Sequence, residues 1–538
     1  MNSIIRRNKI RLNLPQTILS LLSGILTAIA FTFTQLDWFI WFSLVPLFFA
    51  LYNFPVSGKT GFQISFIFSL TYYLGLLSWL FRLHPLTWVG FTVTQSILLI
   101  TAGWFTFSFI ESLGLSVVGF CIGKFKPRGW DRIILPTSLW IIIEWFQAQG
   151  DPGFTWGRLA MSQFQNITLI QSSNLFGSLF ISALIVMTNA ILATSLIDYL
   201  KDNGRFSFKP IVTMIITLIV TLSYGYYHLL TSPIEGKAIN VSIAQANILS
   251  DQKWNMKPRD IVDNYLDLSF KDNREKKNDK TDLMVWPESA IVDYYYNNST
   301  LVDPEIFKRV KNYTKSTDTY LLSGIFTIQN PKAPNQAFFN SIIGIAPDGK
   351  VLGTYSKHHL VPFGEYLPFR NVLEKIVPSI THMNALGHDV TPGTDPGIIT
   401  TPYGKIGSFV CYDSIIPKLI YDSVNAGAEL LVLSTNDSWY KDSMGVYQHN
   451  AQSVFRSVET DRYMVRAANT GISSIINPVG QIQTWLPPLV KGTISGKVYF
   501  RKTITLYSQI GDFIAILGLL ALVFIFFRSR RVNRLENI

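Results

Sequence analysis

The chain has 538 residues, of which 48% are hydrophobic and only 15% are charged, and its formal net charge is +11. This length allows several domains, and the residue balance is typical of a membrane protein rather than of a soluble globular one. A basic chain favours a nucleic-acid partner only when its positive charge forms one patch, so the distribution of Lys and Arg has to be considered next.

Eight apolar segments are long enough to be predicted as transmembrane helices. They cover residues 15–33, 38–54, 61–83, 90–122, 133–149, 167–196, 210–230 and 510–527. Lys and Arg concentrate in the N-terminal segment, in alternate short connections and in the C-terminal tail. Because basic residues favour the cytoplasmic side of a membrane, both termini are predicted in the cytoplasm, and the charge is explained without nucleic acid.

A loop rich in Gly, Pro and aromatic residues, 149–157, connects the fifth and sixth predicted spans. Trp156 in this loop suits a turn at the membrane interface, and a rim around a lipid headgroup or acyl chain is the alternative. Glu144 is an ionisable residue within a predicted span, where contact with lipid is unfavourable. We therefore expect Glu144 to face the bundle interior, either paired with Arg158 or in contact with substrate.

After residue 230 the pattern changes to short apolar strands separated by turns and amphipathic helices. Strands are predicted at 238–245, 283–286, 320–326, 338–346, 351–355, 405–410, 430–434 and 472–476, and helices at 259–268, 303–311, 417–425 and 446–468. This alternation indicates an α/β layered sandwich, with hairpin turns at 348–349 and 478–480. On the last helix, Arg456, Glu459 and Arg466 have the spacing of structural ion pairs.

The segments group into three predicted domains. Residues 1–230 form a bundle of seven transmembrane helices, residues 231–508 the α/β domain, and residues 509–538 a last transmembrane helix with a basic tail. The α/β domain follows an odd number of spans from a cytoplasmic N-terminus, so it is predicted outside the cytoplasm.

Cys411 lies between a predicted strand and a predicted helix, where a turn exposes both its thiol and free backbone N–H groups. Such a thiol can attack a carbonyl carbon, because the N–H groups can stabilise the oxyanion that forms. A small buried hydrophobic residue is the alternative. The other cysteine, Cys121, is predicted at the cytoplasmic end of a span, so no disulfide is expected.

Two further side chains could activate this thiol. Glu288 and Lys357 each follow a predicted strand, as Cys411 does. A carboxylate shielded by Trp286 could take the thiol proton, and an ammonium could stabilise the oxyanion. The alternatives are a charge at a helix N-terminus for Glu288 and a surface position for Lys357.

Other catalytic chemistries find less support in the sequence. The seven histidines lack the spacing of metal ligands, and none is an obvious base for the thiol. The G-x-S-x-G motif of serine hydrolases is absent. We therefore expect neither a metal nor a cofactor.

Three segments resemble the Glu-Lys-Cys signature of the nitrilase superfamily. They are Trp286-Pro287-Glu288-Ser289, the segment 355–366 (YSKHHLVPFGEY) and Cys411-Tyr412-Asp413. The extended form of the second segment is similar to apolipoprotein N-acyltransferases, the integral membrane branch of that superfamily. The similarity extends over nearly the whole chain and includes Gly153-Phe154-x-Trp156, Asn436-Asp437-x-Trp439 and Asn469-Thr470-Gly471.

The resemblance implies an extracytoplasmic αββα sandwich carried by the membrane bundle. It implies that Glu288 is the general base, Lys357 the oxyanion stabiliser and Cys411 the nucleophile. Glu365 would be a second carboxylate near the thiol, with a loop-anchoring hydrogen bond as the alternative. Supporting or substrate-binding roles are implied for three more residues: Tyr412, Asp413 and Trp254. A core aromatic is the alternative for Tyr412 and Trp254, and Asp413 stands where the family usually has Glu.

The implied reaction transfers an acyl chain from a membrane phospholipid, through a thioester on Cys411, to the N-terminal amine of diacylglyceryl-cysteine on an apolipoprotein. This would be the last step of lipoprotein maturation, at the outer face of a bacterial inner membrane, with the catalytic domain in the periplasm. The apolar segment 369–393 is hypothesised to be a lid for acyl chains. The alternatives are a membrane-tethered amidase or nitrilase-type hydrolase with the same three residues, and a catalytically silent scaffold that binds lipoproteins.

Overall fold

The computed structural model describes residues 11–202, 204, 207–232, 235–276, 279–332, 336–376 and 388–535. Helices dominate the first part of the chain, up to the start of the α/β region. They are α1 (Leu14–Thr32), α2 (Ile40–Ser43), α3 (Val45–Asn53), α4 (Gly58–Leu76), α5 (Val93–Phe125), α6 (Asp131–Phe146), α7 (Ile167–Ile170), α8 (Ser173–Phe176), α9 (Ser178–Lys201) and α10 (Phe208–Thr231).

Local sequence signals set the starts of the long helices. At the start of α1 the Asn13 side chain accepts a hydrogen bond from the backbone N–H of Gln16, and the Gln16 side chain accepts one from the backbone N–H of Asn13. Thr92 and Gln95 form the same reciprocal pair at the start of α5. These bonds satisfy backbone N–H groups that would otherwise lack partners at a helix start.

Six helical segments among the described residues are long and apolar enough to cross a membrane. They are Leu14–Thr32, Thr34–Asn53, Gly58–Leu83, Val93–Phe125, Ser178–Lys201 and Phe208–Thr231. The predicted count of eight is not confirmed, because α6 has only 16 residues and the last apolar helix, Phe513–Arg528, is also shorter. The predicted span 167–196 is interrupted at Gly177, where a φ of 70° separates α8 from α9.

Helices α4 and α5 pack closely along small residues. A Cβ atom added to Gly119 would lie 2.1 Å from the carbonyl oxygen of Gly61, and the Ser69 hydroxyl donates to the carbonyl oxygen of Ser112 at 3.1 Å. Small residues let helix backbones approach within a membrane, where dispersion contacts and hydrogen bonds replace the hydrophobic effect.

The middle of the chain forms two β-sheets. Among the described residues, the first sheet contains β1 (Lys237–Gln245), β2 (Leu283–Val285), β3 (Ile291–Tyr296), β4 (Ser299–Thr300), β5 (Tyr320–Gln329), β6 (Ala337–Ile345), β7 (Val351–Ser356) and β14 (Gly492–Phe500). The second contains β8 (Ile398–Thr401), β9 (Gly404–Val410), β10 (Leu430–Thr435), β11 (Met464–Ala468), β12 (Ser473–Ile476) and β13 (Ile482–Leu486).

The remaining helices flank these sheets or follow them. They are α11 (Ser250–Lys253), α12 (Pro258–Glu275), α13 (Pro304–Thr317), α14 (Arg370–Ile376), α15 (Pro417–Asn425), α16 (Met444–Thr460), α17 (Leu506–Ile510) and α18 (Phe513–Leu535).

The domain is a four-layer αββα sandwich. Apolar side chains of both sheets, such as Val241 and Val432, share one buried cluster between them. Helices α12 and α13 cover the other face of the first sheet, whereas α15 and α16 lie on the second sheet and share a cluster with the membrane helices. Strands β1, β2 and β5 run parallel, as do β9, β10 and β11, so each sheet presents the carboxyl ends of several strands at one edge.

The sequence-based assignment was right for both hairpins and wrong for the helix predicted at 446–468. The turns at 348–349 and 478–480 connect β6 to β7 and β12 to β13, as predicted. Helix α16 ends at Thr460 because Asp461 adopts a left-handed conformation with a φ of 55°, and the following residues pair with β10 as strand β11. Strands β3, β4, β8, β13 and β14 were also not predicted.

The close approach of α4 and α5 gives a stability prediction. Gly119→Ala should lower the free energy of unfolding by about 1–3 kcal/mol, because the added methyl group forces the two backbones apart. Thermal unfolding of the detergent-solubilised protein measures the effect. Gly103→Ala is the matched control on α5, since a Cβ atom there meets nothing within 4 Å. Equal transition temperatures for the two variants would contradict the packing argument.

Candidate active site

Cys411 lies at the carboxyl end of β9, as the first residue of a single 3-10 turn, Cys411–Ile415. Its φ of 47° is uncommon for a residue with a side chain, and only 8% of its surface is exposed. The Asp413 carboxylate closes this turn by accepting the backbone N–H of Val410 at 2.9 Å. Cys411 and Cys121 are both free thiols, as expected.

Glu288 follows β2 and is held at both carboxylate oxygens. Oε1 accepts a hydrogen bond from the Asn340 side chain at 2.7 Å, and Oε2 accepts the backbone N–H of Asn436 at 2.8 Å. The Lys357 ammonium lies 3.8 Å from Oε1. Burial raises the pKa of Glu288, and the ammonium of Lys357 opposes that rise. The result is a fixed carboxylate with a raised affinity for a proton.

Lys357 follows β7, and its side chain is only 1% exposed, so the surface position considered for it is wrong. Its Nζ lies 2.7 Å from Oε2 of Glu365. Although burial lowers the pKa of Lys357, the carboxylates of Glu365 and Glu288 raise it above the ordinary value. Lys357 is therefore a permanent buried cation.

Glu365 makes the loop-anchoring hydrogen bond considered for it and also pairs with Lys357. Besides its ion pair with Lys357, its Oε2 accepts the backbone N–H of Val361 at 2.8 Å and anchors the loop. Its Oε1 accepts from the same Asn340 amide that binds Glu288. Asn340 thus links the two carboxylates on either side of the lysine.

The charges of Glu288 and Lys357 act on the Cys411 thiol. Burial and the carboxylate of Glu288 raise the pKa of Cys411, whereas the Lys357 ammonium lowers it. The resting thiol is consequently protonated, and it needs a base at the moment of attack. The structure brings the three predicted residues into one electrostatically coupled cluster.

Asp413 connects the nucleophile turn to the lysine loop. Its carboxylate accepts the Tyr355 hydroxyl at 2.7 Å and the backbone N–H groups of His359 and His358 at 2.8 and 3.2 Å. These contacts suit a supporting role, because they fix the loop that follows Lys357 against the turn that carries Cys411.

Tyr412 and Trp254 differ in how the fold places them. Tyr412 is buried, stacks on the His359 ring with centroids 5.0 Å apart, and belongs to the core cluster of the membrane helices. Trp254 is half-buried at the end of the short helix α11. Of the hypothesised lid, residues 377–387 lie outside the described residues.

Lys253 is a residue of the site that sequence reasoning missed. Its side chain is buried, and its Nζ lies 3.3 Å from the backbone oxygen of Glu288. Burial lowers the pKa of Lys253 to about 8, even though Glu288 opposes the change. A lysine in a charged segment between β1 and α12 carries no sequence signal for such a position.

His449 also lies beside the thiol, although no histidine was predicted there. Its Nε2 is 3.3 Å from the carbonyl oxygen of Cys411, and its Nδ1 is 2.8 Å from Oδ1 of Asp437. The Asn436-Asp437-x-Trp439 segment was a partial signal for Asp437, but His449 comes from a different element, α16.

The thiol, Asp437 and His449 have ligand atoms within 4.8 Å of one another, the spacing of a metal site. Arg466, however, donates to Oδ2 of Asp437 at 2.7 Å, and its guanidinium lies 3.0 Å from the His449 ring. A metal ion would meet this fixed cation, so the cluster does not fit a metal site. It fits a network that holds the nucleophile turn in place.

The predicted ion pairs are partly as expected. Arg456 pairs with Glu459 at 2.9 Å, whereas Arg466 pairs with Asp437 instead. Glu144 faces the interior, where it lies 3.9 Å from Arg158 and accepts the backbone N–H of Leu159.

The loop between α6 and α7 contacts the nucleophile turn and the helix beside it. The Thr155 hydroxyl donates to the carbonyl oxygen of Ile415 at 2.8 Å, and His359 bonds to the carbonyl oxygen of Gly153 at 2.7 Å. The Trp156 indole donates to the side chain of Gln448 on α16. The membrane bundle therefore reaches the candidate site directly.

Replacing the buried cation should change the acidity of the thiol. In Lys357→Met, the pH at which iodoacetamide alkylates Cys411 should rise by at least about one unit, because the thiolate loses a nearby positive charge. Mass spectrometry of the Cys411 peptide measures the profile. Lys418→Met, which removes an exposed lysine, is the control, and an unchanged profile in Lys357→Met would contradict the assigned electrostatics.

Comparison with known proteins finds similar sequences for both parts of the chain. A family model described as "Apolipoprotein N-acyltransferase N-terminal domain" matches residues 23–191, and one described as "Carbon-nitrogen hydrolase" matches residues 240–505. A yeast (Saccharomyces cerevisiae) member of branch 10 of the nitrilase superfamily has a solved structure that covers 50% of this chain and 92% of its own, at 17% identity and a TM-score of 0.38.

Two bacterial relatives extend the similarity along nearly the whole chain. The apolipoprotein N-acyltransferase of Geobacter metallireducens is 30% identical over 504 residues, which cover 93% of this chain and 92% of the relative. The enzyme of the same name from Gloeobacter violaceus is 27% identical over 498 residues, with coverage of 90% and 89%. The chain therefore belongs to the apolipoprotein N-acyltransferase family.

Proposed function

We propose that this chain transfers an acyl group from a membrane phospholipid to the N-terminal amine of diacylglyceryl-cysteine on apolipoproteins. The relatives carry the name of this activity, and the site supplies a buried carboxylate, a buried ammonium and a thiol. The single observation that carries the proposal is the contact of the nucleophile turn with the membrane bundle through the Thr155 hydroxyl. A hydrolase of small soluble substrates has no need for this contact.

In the first half-reaction, the Cys411 sulfur attacks the carbonyl carbon of a phospholipid ester while Glu288 takes the thiol proton. Lys357 stabilises the negative charge on the tetrahedral oxygen. When the intermediate collapses, the carbon–oxygen bond of the ester breaks, and Glu288 returns the proton to the departing lysophospholipid. The products are a thioester on Cys411 and a free alcohol.

In the second half-reaction, a neutral amine attacks the thioester carbonyl and Glu288 takes one of its protons. Lys357 again stabilises the oxyanion. The carbon–sulfur bond breaks, the sulfur recovers the proton from Glu288, and the amine becomes an amide. The same base and the same cation thus serve both steps, as their fixed hydrogen bonds allow.

The orientation belongs to the same proposal: both termini in the cytoplasm and the catalytic domain in the periplasm of a bacterial inner membrane. Two ion pairs at the bundle end remote from the sheets, Arg132 with Asp198 and Arg528 with Asp131, support it, since basic residues favour the cytoplasmic face. The domain limits at residues 230 and 508 also remain predictions.

Trapping the thioester tests the proposal. After incubation of the full-length protein with phospholipid vesicles, mass spectrometry of the Cys411 peptide should show a long acyl chain. Cys411→Ala should show no adduct and no transfer, and Glu288→Gln should reduce adduct formation by at least about a hundredfold, as expected for loss of a general base.

The same experiment separates the alternatives. An adduct that only water can discharge would indicate a membrane-tethered hydrolase and would contradict transfer. Full transferase activity in Cys411→Ala would exclude the covalent route altogether.

Lys253 gives a pH-dependence prediction. Burial raises the pKa of Glu288, and the ammonium groups of Lys357 and Lys253 oppose the rise. In Lys253→Met the pKa of Glu288 should increase, so the acid limb of the acylation profile should move upward by less than about one pH unit. Lys257→Met, an exposed lysine nearby, is the control. A shift to lower pH would contradict the assignment.

A further inference from the structure

Glu111 is a carboxylate in the middle of helix α5, and the mechanism above does not use it. It lies between Ile110, which is 56% exposed on the lipid-facing side of the bundle, and Ser112, which is fully buried. Its own side chain is half-buried within a membrane-spanning helix. An ionisable residue at such a depth is unfavourable unless it has a partner or a function.

The contacts of Glu111 are neutral. Its Oε2 accepts a hydrogen bond from the side-chain amide of Gln147 at 2.5 Å, and the same amide donates to the Tyr73 hydroxyl at 3.0 Å. Among the residues that the structure describes, Glu111 has no ion pair with a lysine, arginine or histidine, whereas the buried Glu144 and Glu459 each lie beside an arginine. The polar shell therefore fixes the carboxylate without neutralising it.

Glu111 is also close to the active site. Gln147 caps α6, and its carbonyl oxygen accepts the backbone N–H of Phe154, whose ring packs 6.1 Å from Phe107, one turn before Glu111. The adjacent Gly153 bonds to His359, on which Tyr412 stacks.

Charge interactions also relate Glu111 to Tyr412. The pKa of Tyr412 is raised by burial and then by the negative charges of Glu111 and Cys411. Both groups are thus within electrostatic reach of one phenol. The Glu111 carboxylate consequently lies within electrostatic reach of the nucleophile turn.

The substrates of the proposed reaction carry a cation. The acceptor of the proposed reaction is an α-amine that is largely protonated at neutral pH, and its diacylglyceryl anchor keeps it at the membrane surface. A lipid-borne ammonium that leaves the headgroup layer loses hydration, which a carboxylate of opposite charge can replace. Phosphatidylethanolamine, as an acyl donor, would present the same primary ammonium.

We propose that Glu111 binds the primary ammonium of a lipid-anchored substrate at the membrane side of Tyr412. The inference rests on the acyl-transfer scheme above and adds a binding site to it. The Gln147 amide holds the carboxylate in position, and the bound ammonium has to lose a proton before the amine attacks the thioester. The ligand is the acceptor α-amine or the ethanolamine headgroup of the donor, and the two sources predict different defects.

The test uses full-length Glu111→Gln in lipid nanodiscs, since the amide keeps the shape and can still bond to Gln147. One arm measures acylation of Cys411 by phosphatidylethanolamine and by phosphatidylglycerol, which lacks the ammonium. The other arm measures transfer from the preformed acyl-enzyme to a diacylglyceryl-cysteine peptide. Asp442→Asn, which removes an exposed carboxylate paired with Arg82, is the control.

If the acceptor is the ligand, the KM for the peptide should rise at least about tenfold in Glu111→Gln, with little change at saturation and normal acylation by both donors. If the donor is the ligand, only acylation by phosphatidylethanolamine should fall by that factor. Either result supports the site.

Two outcomes would overturn the site: unchanged kinetics in both arms, or an equal loss with both donors and the peptide. The second outcome would indicate a structural role. The same conclusion would follow if Glu111→Gln lowered the unfolding temperature and Glu111→Asp, which keeps the carboxylate, lowered it equally. Failure of the wild-type protein to form any adduct on Cys411 would instead refute the acyl-transfer scheme.

Discussion

The candidate site depends on one buried arrangement of charge, in which Lys357 lies between Glu288 and Glu365. Removing these groups from water is costly unless every oxygen and proton finds a partner. Asn340 bonds to both carboxylates, and the backbone N–H of Asn436 completes the shell of Glu288. These partners come from both sheets. The two sheets must therefore pack together before the charged groups of the site have all their hydrogen bonds.

The membrane bundle is joined to this site by specific contacts. The loop between α6 and α7 bonds to the lysine loop and the nucleophile turn, and Tyr412 belongs to the core of the bundle. Glu459 on α16 accepts the backbone N–H of Ser178 at the start of α9. The elements that position the sulfur are therefore in direct contact with the membrane bundle.

Much of this architecture could be predicted from local patterns. Apolar strands that end in turns located Glu288, Lys357 and Cys411, because each pattern lies within a few residues. Long-range contacts carry no such signal, so His449 and Lys253 were missed, and β11 was assigned to a helix although its pairing with β10 decides its structure. The count of eight spans is not confirmed, because apolar length alone does not distinguish a short helix such as α6 from a full crossing.

The first and last strands of the α/β domain are neighbours: β1 and β14 pair antiparallel along all nine residues. The connections to α10 and to α17 thus leave from the same edge of one sheet. A globular unit whose ends are adjacent can be inserted between two helices without rearranging either part. In topological terms the α/β domain is an insertion between α10 and α17, and its entry and exit lie side by side.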